Sequence, residues 1–199
     1  HQGDLPGDLA WGDAIAVDTE TLGLNLTRDR LCLVQLSAGD GNAHLVQLDR
    51  NTYDCPNLKQ LLADTAVTKI FHYARFDIGR IARHLGVLTE PVFCTKIASR
   101  LTRTYTDRHG LKDLCREMLG IDLSKQQQSS DWGADTLSDA QLEYAASDVL
   151  YLHALKERFE ALLVRESRVH LAESCFRFVP TRALLDIAGW AEEDIFAHS

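Results

Sequence analysis

With 199 residues, 45% hydrophobic and 25% charged, the chain has the composition of an ordinary globular domain rather than a disordered or fibrous one. Its five cysteines form no CxxC pair or Cys/His ligand spacing, no stretch has the length of a membrane span, and no signal-peptide pattern opens the sequence. A reduced, cytoplasmic domain is therefore expected, and its net charge of −8 leaves two readings open: either nucleic acid is not the ligand, or the ligand is short and held in a pocket rather than on a broad basic surface.

The first half reads as strands and turns. Ala14-Ile15-Ala16-Val17 is a short apolar run that stops at Asp18. Leu31–Leu36 and His44–Leu48 are two more runs, separated by Gly39-Asp40-Gly41-Asn42, which predicts an antiparallel hairpin. A helix is expected over Asn57–Asp64, a strand over Thr68–Phe71, and an amphipathic helix over Phe76–Leu85 ended by Gly86. After a short strand at Val92-Phe93 the chain turns mainly helical, at Thr95–Leu101 and at Leu111–Leu119. A polar loop, Leu123–Trp132, precedes Ser138-Asp139-Ala140-Gln141, an N-cap signature that opens one long helix. Leu142, Ala145, Val149, Leu152, Leu155, Phe159 and Leu162 form its apolar stripe. The tail from Leu171 predicts short helices broken at Pro180 and Gly189. The pattern as a whole predicts one α/β domain over residues 1–199, a mixed sheet flanked by helices.

Three short motifs carry chemistry. Asp18-Thr19-Glu20 follows the first strand, and alternation turns both carboxylates to one face, where they can bridge a hard divalent cation. Alone, an Asp-x-Glu is more often a turn whose Asp accepts from the backbone. Phe71-His72-Tyr73-Ala74-Arg75-Phe76-Asp77 spans a strand-to-helix junction, and Asp77 in a first helical turn is favoured by the helix dipole in any case. Tyr144 and Asp148, four apart on the late helix, project together from the edge of its apolar stripe.

In this order the motifs resemble the three exonuclease motifs of the DEDD superfamily. Tyrosine in place of histidine resembles the DEDDy branch, which includes ribonuclease D. The resemblance implies a ribonuclease H-like fold and 3′-5′ hydrolysis of nucleic acid to 5′-monophosphates with two divalent metal ions. Asp18, Glu20, Asp77 and Asp148 would be metal ligands, and Tyr144 catalytic. His1–Pro6, Asp18–Leu24, Leu101–Gly110, Ser124–Trp132 and Asp194–Ser199 are further similar to the nano-RNase C group of alphaproteobacteria. Those are stand-alone ribonuclease D-like nucleases acting on very short RNA down to dinucleotides, and the resemblance implies a homo-octamer. A nuclease domain without an accessory RNA-binding domain is therefore expected, and a short ligand in a metal-loaded pocket would reconcile RNA with the acidic balance.

On that basis Asp18 is expected to bridge two cations, Glu20 and Asp148 to complete one, and Asp77 to hold the other partly through water. An all-oxygen set suits Mg²⁺ or Mn²⁺ rather than zinc. Tyr144 is expected to orient the attacking water and to assist its deprotonation, although a phenol titrating near ~10 is a weak base at neutral pH. Thr19 and His72, which lie beside the acids in the sequence, are expected as substrate contacts, although His72 fits a hydrogen-bonded core histidine equally well. Leu22 and Leu24 are core residues or a wedge between bases, and the resemblance favours Leu24 as the wedge. Arg103, Tyr105, Arg108, His109 and Lys112 form the densest basic patch interleaved with an aromatic, and part of it is expected to cap a 5′ phosphate. Lys125, Gln126 and Gln128 belong to the same pocket in this reading. Trp190 and Ile195-Phe196 are apolar enough for an assembly surface or for packing back on their own domain. The competing readings are a general ribonuclease D-like trimmer of longer RNA or DNA, and a silent scaffold, which would have lost one of the five catalytic residues.

Overall fold

A computed structural model describes residues 1–124 and 126–198; Lys125 and Ser199, named in the motifs above, lie outside the described residues. Five strands form one mixed sheet in the order β3-β2-β1-β4-β5. They are β1 (Ala14–Thr21), β2 (Leu31–Ser37), β3 (His44–Gln47), β4 (Thr68–Phe71) and β5 (Val92–Cys94). The β1–β2 and β2–β3 pairs are antiparallel, as the Gly39–Asn42 turn requires, whereas β1–β4 and β4–β5 are parallel and joined by crossovers. All seven positions of β2 are buried, so the sheet is covered on both faces, which is why its apolar run does not alternate. This is the mixed sheet with flanking helices of a ribonuclease H-like domain.

The helices are α1 (Pro56–Ala63), α2 (Ala74–Leu85), α3 (Thr95–Thr102), α4 (Leu111–Leu114), α5 (Asp139–Leu150), α6 (Leu152–Arg165) and α7 (Val169–Leu185). A π-helical turn, Cys115–Leu119, extends α4, and another, Asp186–Trp190, follows α7. Gly86 ends α2 at φ 69°, a left-handed cap that a side chain would strain. None of these helices is long and apolar enough to cross a membrane.

Three expectations are corrected. The first strand does not stop at Asp18 but runs to Thr21, so the acidic pair belongs to the strand. The single long helix is two, parted at Tyr151 with φ −106° and ψ −3°. Its stripe continues across the joint, with Ala145, Val149, Leu152, Leu155 and Phe159 all fully buried, so periodicity does not register the kink. Pro180 does not break the tail, for α7 runs through it. An internal proline costs a helix about 3 kcal/mol. Phe176, Val179 and Ala183 are buried on either side of Pro180, and that packing offsets the cost.

Candidate active site

The site lies at the end of β1, where the sheet, α2 and α5 converge. Register along β1–β2 runs Asp18 to Gln35 and Glu20 to Leu33, then shifts so that Thr21 pairs with Leu31. Such an irregularity twists a strand locally and re-aims its side chains, here beside Glu20. From α5, whose capping box at Ser138 and Gln141 is formed, Tyr144 and Asp148 face the same space. One carboxylate oxygen from each of Asp18, Glu20 and Asp148 lies within 4.8 Å of the others. Asp77 stands behind them in the first turn of α2, 2% exposed, where the Thr19 hydroxyl donates to its Oδ1 at 2.6 Å. Gln35 Nε2 donates weakly to Asp18 at 3.4 Å.

These acids repel one another. Burial first, and then the charges of Asp77, Asp148 and Glu20, hold Asp18 well above the usual carboxylate range. Glu20 is pushed from 4.5 to about 9 by burial and by Asp148 and Asp77. Burial also raises Asp77, against the Thr19 hydroxyl bond, and Asp148, against its contact with the Tyr144 phenol. The Tyr144 phenol is itself raised, by burial and then by Asp148, Glu20 and Asp18, so it keeps its proton in the cation-free protein. Among the described residues, no side-chain cation is among the causes acting on Asp18, Glu20, Asp77 or Asp148. A divalent cation among the oxygens is the group this donor set fits, since its charge would favour the ionised form of every one of these acids and offset their burial and mutual repulsion.

The surrounding cavity is about 620 Å³. That is the size of sites enclosing a drug-sized ligand, roughly 300–1,000 Å³. Leu22 and Leu24 are not core residues: they are 51% and 85% exposed and stand on the cavity rim. Their loop is held from beneath by Arg80 of α2, a residue that nothing in the sequence singles out. Buried at 1% exposure, it donates to the carbonyls of Asn25 at 2.8 Å, Asp29 at 3.0 Å and Gly23 at 3.2 Å. Gly23 itself packs against Asp29 so closely that a Cβ would collide with that carboxylate.

His72 lines the cavity and is pushed down to about 3, by burial and then by Lys96, so it is neutral. The Thr95 hydroxyl donates to the Phe71 carbonyl at 3.2 Å and is 2.9 Å from His72 Nδ1, which therefore carries the proton. His72 Nε2 is left as an acceptor. Lys96, Tyr73 and Trp132 also line the wall and were not foreseen. The Trp132 and Tyr144 rings lie 6.0 Å apart, and Gln141 Nε2 donates to the Asp131 carbonyl at 3.1 Å, tying the Trp132 loop to α5.

The basic patch is divided. Lys112 reaches the cavity; Arg103, Tyr105, Arg108 and His109 do not line it. Arg103 is 3% exposed and spent on Glu117 and on the Arg108 carbonyl, at 2.6 Å to the latter. His109 is bonded to Ser99 at 2.8 Å, while Tyr105 and Arg108 face solvent. Of the glutamine run, Gln128 lines the cavity and Gln126 is exposed outside it. Trp190, Ile195 and Phe196 are 44%, 46% and 74% exposed, so they do not pack back fully.

Comparison with known proteins identifies the family. A family model described as 3′-5′ exonuclease matches residues 5–163. Ribonuclease D of Acidiphilium cryptum is 34% identical over 161 residues, 81% of this chain but only 41% of that longer protein. The structure of Brucella melitensis NrnC with bound Mg²⁺ is 58% identical, with TM-score 0.96, covering 100% of this chain and 98% of that one. The same protein bound to pGG is 59% identical with TM-score 0.97, covering 100% and 97%. The chain belongs to the 3′-5′ exonuclease family and, within it, to the nano-RNase C group.

Proposed function

We propose that this chain is a 3′-5′ exoribonuclease that hydrolyses very short RNA, dinucleotides above all, to mononucleotides. The observation that carries the reading is the cluster of Asp18, Glu20 and Asp148 oxygens within 4.8 Å, backed by Asp77 and flanked by Tyr144. The complex of the Brucella melitensis relative with pGG supports the dinucleotide.

Two divalent cations, Mg²⁺ or Mn²⁺, would be held by Asp18, Glu20, Asp148 and Asp77, and when bound supply charge neutralisation and water activation for an in-line displacement. Tyr144, its proton retained, donates from its phenol and orients the water for attack on the phosphorus. The four acids titrate high without cations, so the protein's own part is to present them close-packed and partly dry. His72 Nε2 accepts from a sugar hydroxyl at the 3′ end, and Leu24 inserts between the two bases. Lys112 grips the 5′ phosphate, with the exposed Arg108 and Tyr105 on the same loop as further candidates. Trp190, Ile195 and Phe196 offer apolar surface for assembly into a homo-octamer, and Tyr144 in the third motif fits the DEDDy branch.

The test is a time course with 5′-labelled RNAs, from the dinucleotide upward in length, in Mg²⁺ and in Mn²⁺, with Asp148→Asn as control. Rapid loss of the dinucleotide alone is expected. Comparable trimming at every length would make this a general 3′ exonuclease, and silence from both proteins would sink the catalytic reading.

A further inference from the structure

One residue of the β4–α2 turn breaks local rules with no local gain. Tyr73 occupies the N-cap of α2, a position that favours Ser, Thr, Asp or Asn because their oxygens accept from the free amides of the first turn. Tyr73 makes no such bond, and its backbone sits in the left-handed region at φ 71° and ψ 44°. Aromatic residues rarely adopt that conformation, and where one does, the surrounding structure enforces it. The ring is not taken up by the core either, being 45% exposed. A residue that is poor for its cap, poor for its backbone and unburied marks a position held for another purpose.

That conformation delivers the ring to the wall of the acid-lined cavity and of the neighbouring cleft, both of which Leu24 also lines. Lys96 Nζ stands 4.2 Å from the ring centroid, a cation–π contact that fixes the ring's orientation. Leu24, 85% exposed, stands on the same wall. An oriented, half-exposed aromatic beside a phosphodiester site has an obvious chemical complement in the flat face of a base. We propose that Tyr73, steadied by Lys96, is a specificity-determining shelf on which one nucleobase of the substrate stacks. This deepens the exoribonuclease reading and rests on it.

The experiment compares wild type with Tyr73→Phe, Tyr73→Asn and Lys96→Met on a dinucleotide and on its analogue lacking bases. Asn suits both an N-cap and a left-handed backbone, so Tyr73→Asn should fold at least as well as wild type. Expected are a near-normal KM for Tyr73→Phe and a KM raised about tenfold or more for Tyr73→Asn, with kcat little changed. Lys96→Met should show a smaller rise in KM. On the base-free analogue the difference between Tyr73→Asn and wild type should vanish. Equal losses on both substrates would mean a structural role only and would overturn the shelf. If wild type cleaves neither, the exoribonuclease reading fails, and calorimetric binding of the dinucleotide in Ca²⁺ decides the shelf: an unchanged affinity in Tyr73→Asn rejects it, a weakened one sustains it.

Discussion

The Thr19 hydroxyl donates to Asp77 Oδ1 at 2.6 Å across 58 residues of sequence, joining β1 to α2 inside the site. Thr19 stands between Asp18 and Glu20, so one strand residue ties the acid of the second motif to the two acids of the first. Thr19→Val keeps the shape and leaves a buried carboxyl without its donor, which costs about 1–3 kcal/mol. Urea unfolding should show that loss, and divalent titration of activity should need more metal for half-maximal rate. Unchanged values in both would show the bond to be incidental.

Tyr144→Phe should reduce turnover by about 100-fold or more, the usual scale for losing a positioned proton donor or acceptor. Calorimetric Mn²⁺ binding should be unaltered, because the phenol is no ligand. Normal turnover in this variant would remove Tyr144 from the chemistry.

Stability of the metal-free protein should fall as pH rises. Each acid of the cluster titrates higher folded than unfolded: Glu20 moves from 4.5 to about 9, and Asp18, Asp77 and Asp148 move in the same direction. A raised carboxyl favours the protonated fold, so this contribution is complete below the unfolded value near 4.5 and lost as pH climbs to about 9. Thermal melts in EDTA across that window should drop, while melts with Mg²⁺ should flatten and Asp148→Asn in EDTA should drop less. A flat EDTA profile would mean that the acids are not mutually strained.

Arg80→Met should loosen the loop that carries Leu22 and Leu24, since three carbonyls lose their shared donor. Amide exchange over residues 22–29 should quicken and KM should rise, with metal affinity preserved. Exchange rates equal to wild type would show the loop to be held by its own Asp29 contacts.

Lys112→Ala should weaken a 5′-phosphorylated dinucleotide more than the same dinucleotide without that phosphate. Arg103→Ala should act differently, lowering stability by about 1–3 kcal/mol, because it takes the donor from the Arg108 carbonyl and one partner from a half-exposed Glu117. Equal effects of Lys112→Ala on both substrates would dismiss it as the phosphate contact.

The sequence by itself nominated the side chains that the structure gathers at the end of β1, and it marked most of the strands that carry them. The residue types at Asp18, Glu20, Asp77, Tyr144 and Asp148, and their order, are a one-dimensional pattern. Short apolar runs broken by Gly39–Asn42 and Gly86 place strands and helix ends by local rules. Tertiary structure decided the rest, because packing energy outweighs local preference. It carried β1 through its acids, carried α7 through Pro180, and split one apolar stripe between α5 and α6. It also divided a basic cluster that composition treats as uniform, committing Arg103 to Glu117 and leaving Lys112 in the cavity wall. Arg80, Lys96 and Tyr73 were invisible for the same reason: their roles lie in distant partners, and spacing along the chain does not record what a side chain meets in space.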